Sequence, residues 1–155
     1  MYARGLDKLI CEHPLFAGML PDHCELIGGC ARNVRFDKGE FLFREGQPAN
    51  EFFLIRHGRV ALELTAPGRG SIRFLTINPG DIAGVAWLVP PYRWLFDAQA
   101  LELTRAVSID GACLRQKAEE NHDFGYEMMK RFMTMLVRRL HATQLQMLDV
   151  YGPRD

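Results

Sequence analysis

Between residues 34 and 109 the chain breaks into short apolar runs separated by glycine-bearing turns, and this punctuation excludes most folds. The runs lie at 40–43, 52–55, 59–64, 71–77, 94–103 and 105–109. Between them stand Asp37-Lys38-Gly39, Gly46-Gln47-Pro48-Ala49-Asn50, His57-Gly58, Ala66-Pro67-Gly68-Arg69-Gly70 and Asn78-Pro79-Gly80. Such runs are too short for globular helices, and turn residues recur at the spacing of an antiparallel sheet. The pattern predicts an all-β sandwich or jelly-roll barrel.

Helical patterns flank this region. Leu6, Leu9 and Ile10 keep helical spacing, and Pro21-Asp22 opens a second helix that carries Leu26 and Ile27 and ends at Gly28-Gly29. After the strands, Asp110 can cap a short helix reaching Glu120, and Asn121 or Asp123 can cap a long one reaching about Leu148. The expected organisation of residues 1–155 is one domain: helices in 2–32, a barrel in 34–109 and C-terminal helices in 110–149. On the long helix, Tyr126, Met129, Met133, Leu136, Leu140 and Met147 follow three- and four-residue steps. Phe124, Met128, Phe132 and Met135 form an adjacent stripe. One stripe can cover the barrel. The other asks for a partner, and a coiled-coil-like seam with a second copy meets that need, so a homodimer is expected. Burial of both stripes within one monomer is the alternative.

Composition narrows the function classes. Nineteen basic residues balance nineteen acidic ones, so the basic excess usual in a nucleic-acid binder is absent and no direct DNA binding is expected. Lys130-Arg131 and Arg138-Arg139 read as a solvated helix face. The apolar stretch 82–91 is interrupted by prolines and too short for a bilayer, so no membrane partner is expected. No signal-peptide pattern opens the chain, and a cytoplasmic location is expected. Cys11, Cys24, Cys30 and Cys113 lack paired spacing, which predicts reduced thiols. His13 and His23 near three of those cysteines fit no tight ligand pairs, so no metal is expected. Of the five histidines only His57 lies in the strand region, which excludes metal-dependent barrel chemistry. No nucleophile–base arrangement stands out either, and no catalytic residue or enzyme activity is assigned.

The remaining chemistry lies in Gly80-Asp81-Ile82-Ala83-Gly84-Val85-Ala86-Trp87-Leu88 and the following Pro90-Pro91-Tyr92-Arg93-Trp94-Leu95-Phe96. It reads as a glycine turn at a strand end, a helical turn with free amides, and an aromatic strand. This order of elements suits a small anion.

The stretch from Phe36 to Val60, with Gly39, Glu40, Gly46, Phe52-Phe53 and Gly58, resembles the front half of a cyclic nucleotide-binding domain. Gly80 and Gly84 continue that register, and the flanking helices match too, so the resemblance covers about residues 13–148. It implies a phosphate-binding cassette at Gly84 and a cyclic nucleotide (cAMP or cGMP) or another small anion as ligand. It also implies a glutamate after the cassette glycine for the ribose and an arginine on the next strand for the phosphate. Here those positions hold Val85 and Trp94.

Strand alternation then turns Trp94, Phe96, Ala98 and Ala100 inward and Arg93, Leu95, Asp97 and Gln99 outward. The candidate ligand-binding residues are Gly84, Val85, Ala86, Trp87, Arg93, Trp94 and Phe96. Transcription regulators of this resemblance carry a winged helix-turn-helix after the long helix. That segment is absent from the sequence, so output through a partner protein is expected. Two readings follow: a sensor module with a divergent pocket, or an interaction dimer whose barrel is filled by its own aromatics.

Overall fold

The computed structural model describes residues 5–150. The start of the expected N-terminal helical region, residues 2–4, lies outside them. Two short helices, α1 (Leu6–Glu12) and α2 (Pro21–Gly28), precede eight strands. These are β1 (Ala31–Phe36), β2 (Phe41–Phe43), β3 (Glu51–His57), β4 (Val60–Ala66), β5 (Gly70–Ile77), β6 (Ile82–Ala83), β7 (Asp97–Ala100) and β8 (Thr104–Asp110). A 3-10 turn, Ala86–Leu88, follows β6, and α3 (Gly111–Glu120) and α4 (His122–Val150) complete the chain. The strands form two four-stranded antiparallel sheets, ordered β1-β8-β3-β6 and β2-β7-β4-β5. This is a jelly-roll architecture with flanking helices and a long C-terminal helix.

One sheet is buried on both faces, and its residues divide accordingly. On β3, Phe52 and Leu54 point toward the helices while Phe53 and Ile55 point into the barrel. Val107 and Ile109 of β8 join the helical side and Ala106 the barrel side. The period of two therefore places Phe52-Phe53-Leu54-Ile55 between two separate hydrophobic clusters, which explains a continuous apolar run in an antiparallel sheet. The helical cluster holds Ile10, Phe16, Ile27, Trp87, Leu114, Phe124, Met128 and Phe132. The barrel cluster holds Phe43, Val60, Leu62, Ile77, Ala83, Trp94, Ala98 and Ala100.

Local chemistry sets the helix ends. Pro21 begins α2, where its missing N–H costs nothing. The Asp110 carboxylate accepts from the Cys113 N–H at 3.0 Å and caps α3. Asn121 Oδ1 accepts from the Phe124 N–H at 3.1 Å at the start of α4.

Three findings differ from the sequence expectation. A strand, β1, begins at Ala31, inside the stretch read as helical, and pairs with β8. Its Arg32, Asn33 and Arg35 sit on an edge strand, so its apolar signal is weak. The apparent strand at 94–103 contracts to Asp97–Ala100. The cysteines are not free: Cys11 is bonded to Cys24 and Cys30 to Cys113. The partners are separated by 13 and 83 residues, so pairing made by the tertiary fold leaves no mark in local spacing. Disulfides belong to oxidising settings or redox-responsive proteins, and the cysteines therefore no longer argue for a reducing compartment. No helix among the described residues is long and apolar enough to cross a membrane.

Candidate functional site

The cassette begins where β6 ends. Ile82 and Ala83 pair with Leu54 and Phe53 of β3, which fixes the exit direction of the chain. Gly84 then adopts φ of +101°, a conformation that other residues reach only with strain. Val85 leads into the Ala86–Leu88 turn, where the Leu88 N–H donates to the Val85 carbonyl at 3.1 Å. Tyr92 also has positive φ, at 55°. The chain then returns alongside the Gly46–Ala49 loop: the Ala49 N–H donates to Tyr92, the Trp94 N–H to Gln47, and the Gly46 N–H to Trp94. Trp94 is thus held by backbone bonds on both of its peptide groups.

That anchoring aims the Trp94 ring at Gly84. A Cβ built on Gly84 would stand 2.7 Å from Trp94 Cη2 and 2.9 Å from Cζ3. The indole stacks on Phe43 with ring centres 3.7 Å apart and planes 10° from parallel. Phe43 in turn touches Phe53 and Phe96, and Phe96 meets Phe74 edge-on at 5.1 Å. Trp94 is only 4% exposed. The space beside Gly84 is filled by an aromatic stack.

What remains is a cavity of about 190 Å³ lined by Val85, Ala86, Trp94, Phe96, Arg93 and Leu136 among others. Small-molecule sites usually span about 300–1,000 Å³. Arg93 is exposed, and its Nη1 donates to the Gly46 carbonyl at 3.2 Å. Val85 offers no acceptor. Arg93 is the one charged residue among those that line the cavity.

The structure sorts the candidate residues unevenly. Val85, Ala86, Arg93, Trp94 and Phe96 gather around one cavity, with Gly84 against the Trp94 ring. Trp87 is elsewhere: it stacks on Phe52 at 4.7 Å, meets Phe132 at 5.3 Å and belongs to the helical cluster. The 3-10 turn reverses the chain between Ala86 and Trp87, and strand alternation does not apply there. Arg115 accompanies Trp87, donating from Nη1 to its carbonyl and lying over Tyr92 at 4.1 Å. Asp97, expected to face out, is only 9% exposed, because its carboxylate accepts from the Glu45 N–H at 2.8 Å and pairs with Arg44 at 3.4 Å.

Of the expected seam on α4, Tyr126, Met129, Met133, Leu140 and Met147 are exposed, whereas Leu136 is half-buried against the cassette cavity. Phe43, the stacking partner of Trp94, was not singled out by sequence reasoning. Its position before Arg44-Glu45-Gly46 was the available signal. Among the described residues, no group of three or more histidine, cysteine or acidic side chains is arranged to hold a metal ion.

Comparison with known proteins fits this geometry. Residues 33–121 match the family model described as "Cyclic nucleotide-binding domain". The chain is 26% identical over 146 residues to a CRP-like cAMP-activated global transcriptional regulator of Mycobacterium tuberculosis, covering 94% of this chain and 63% of that protein. It is 30% identical over 105 residues to cyclic nucleotide-gated ion channel 18 of Arabidopsis thaliana, covering 65% of this chain and 15% of the channel. The chain therefore spans less than two thirds of the curated relatives it matches. Among solved structures, a putative cyclic nucleotide-binding protein from Geobacter metallireducens superposes with a TM-score of 0.78 at 27% identity, covering 90% of this chain and all of that one. A cyclic nucleotide-binding domain from Methylobacillus flagellatus gives a TM-score of 0.81 at 17% identity, covering 97% and 88% respectively.

Proposed function

Because the chain belongs to the cyclic nucleotide-binding domain family, we propose that it is a non-catalytic regulatory domain whose phosphate-binding cassette is closed by its own aromatic side chains. The observation that carries this reading is the Trp94 ring wedged between Gly84 and Phe43. Cyclic nucleotides then bind weakly at most, since the resemblance asks for a glutamate and an arginine where Val85 and Trp94 stand. A hydrogen bond to a charged group contributes about 1.5–3 kcal/mol, so losing two weakens affinity by roughly two to four orders of magnitude. Calorimetric titration with cAMP and with cGMP is expected to give no heat of binding at micromolar concentrations. Micromolar or tighter binding of either would sink the proposal.

Regulation by such a domain proceeds through contacts with protein rather than through a tightly held nucleotide. The supporting surface is α4, whose Tyr126, Met129, Met133, Val137 and Leu140 are each between 47% and 67% exposed. They lie three or four residues apart on one face, the geometry of a two-helix seam. A second copy of this chain is the occupant we assign, because the exposed residues form a continuous apolar stripe with the spacing of a helix-pair seam. Sedimentation velocity is expected to show a dimer that Met133→Glu and Leu140→Glu together dissociate. A monomer in the unaltered chain at tens of micromolar would refute that assignment.

A further inference from the structure

A second cleft lies on the helical side, away from the cassette cavity. It has a volume of about 410 Å³ and opens between the α1–α2 connection, the Gly80–Ile82 segment and α4. Its polar lining is His13, Asp81, Arg131, Thr134, Arg138 and Arg139. Three guanidinium groups thus face one carboxylate, in a volume of the size that holds small molecules.

The three arginines differ in what they already hold. Arg131 Nε pairs with Glu127 at 2.7 Å, and its Nη1 donates to the Leu15 and Ala17 carbonyls at 3.0 and 2.8 Å. Arg139 donates from Nη2 to the Ile82 carbonyl. A guanidinium carries five N–H donors, so Arg139 retains spare ones. Arg138 is exposed and makes no hydrogen bond or ion pair among the described residues.

His13 forms one wall of the cleft. The ring is 9% exposed, and its Nδ1 accepts from the Leu15 N–H at 3.1 Å. The neutral ring therefore carries its proton on Nε2. Nε2 is sealed from solvent and sits against the Asp81 backbone. Burial holds the His13 pKa below its ordinary value, an effect that the Asp81 backbone and charge offset in part.

We propose that this cleft is a binding site for a small multiply charged oxyanion, a phosphate ester or a polycarboxylate, held by Arg138 and Arg139. Arginine forks match both oxyanions in shape and charge. The neighbouring Asp81 carboxylate stands against the ligand and favours anions that reach the arginines on the α4 side. Since Arg139 also holds the Ile82 carbonyl, two residues before Gly84, a ligand here clamps α4 to the strand that feeds the cassette. The inference stands independently of the closed cassette.

The test uses the full chain, inorganic pyrophosphate and citrate as probes, and sodium chloride to keep ionic strength constant. Calorimetry is expected to give a Kd of about 1 mM or tighter for at least one probe. A preference for pyrophosphate identifies a phosphate ester as the source, and a preference for citrate a polycarboxylate. Arg138→Gln, which removes no contact within the fold, is expected to weaken binding about tenfold or more. Arg138→Lys should restore part of it, and Arg93→Gln at the cassette should leave it unchanged. Titration is also expected to move the His13 ring proton signals in NMR spectra. Binding of both probes weaker than this limit, or affinity unaffected by Arg138→Gln, overturns the proposal.

Discussion

Replacing Val85 by Glu and Trp94 by Arg together is expected to raise the affinity for cAMP by roughly two to four orders of magnitude. The exchange acts on volume and charge at once. The indole that stands 2.7 Å from the position of a Gly84 Cβ is removed. A guanidinium takes its place on the same inward strand position, and a carboxylate appears at the mouth of the 3-10 turn. Gly84 and the backbone leading into that turn are already in place, so no rearrangement of the main chain is required. The cost falls on the Phe43–Trp94 stack, worth about 0.5–1.5 kcal/mol beyond its buried area. Circular dichroism of the variant and of each single change separates that cost from binding. If the folded double variant binds cAMP no better than the unaltered chain, the missing anchors are not what limits affinity.

The second large effect concerns α4. Phe132→Ala is expected to destabilise the domain by about 3–5 kcal/mol, the range for emptying a buried aromatic site. Phe132 is fully buried and meets three rings: Phe52 at 5.3 Å, Trp87 at 5.3 Å and Phe16 at 6.5 Å. Those rings belong to β3, to the turn after the cassette and to the α1–α2 connection, so one deletion loosens three contacts. Met133→Ala, one residue on and 57% exposed, should change the stability of the protomer by only about 0.5 kcal/mol. Urea unfolding measures both. Near-equal effects would show that α4 is not packed into the cooperative unit.

The sequence makes the barrel legible because its strands alternate and its turns need residues with special backbone freedom. Trp94 faces the barrel and Arg93 is exposed, as alternation suggested, although both precede the start of β7. Trp87, expected at the ligand site, lies in the 3-10 turn and packs into the helical core instead. β1 escapes notice because an edge strand with Arg32 and Arg35 has little apolar pattern. The cysteine pairs and the Arg131, Arg138 and Arg139 cleft were illegible for another reason. Helical spacing puts the arginines on one face, but the opposing His13 and Asp81 arrive from distant parts of the chain. A charged helix face and a charged cleft look alike until the element across from them is known.

The chain contains two tryptophans, and the two hydrophobic clusters hold one each: Trp87 on the helical side and Trp94 in the barrel. Each indole is therefore an intrinsic fluorescent reporter of a different compartment. Trp87→Phe leaves emission that follows the barrel alone, and Trp94→Phe leaves emission that follows the helical layer. Coincident unfolding curves from the two variants mean the layers melt as one unit. Separated curves mean that the helices can leave the barrel while it remains folded, a motion through which a partner could regulate the protein without any nucleotide.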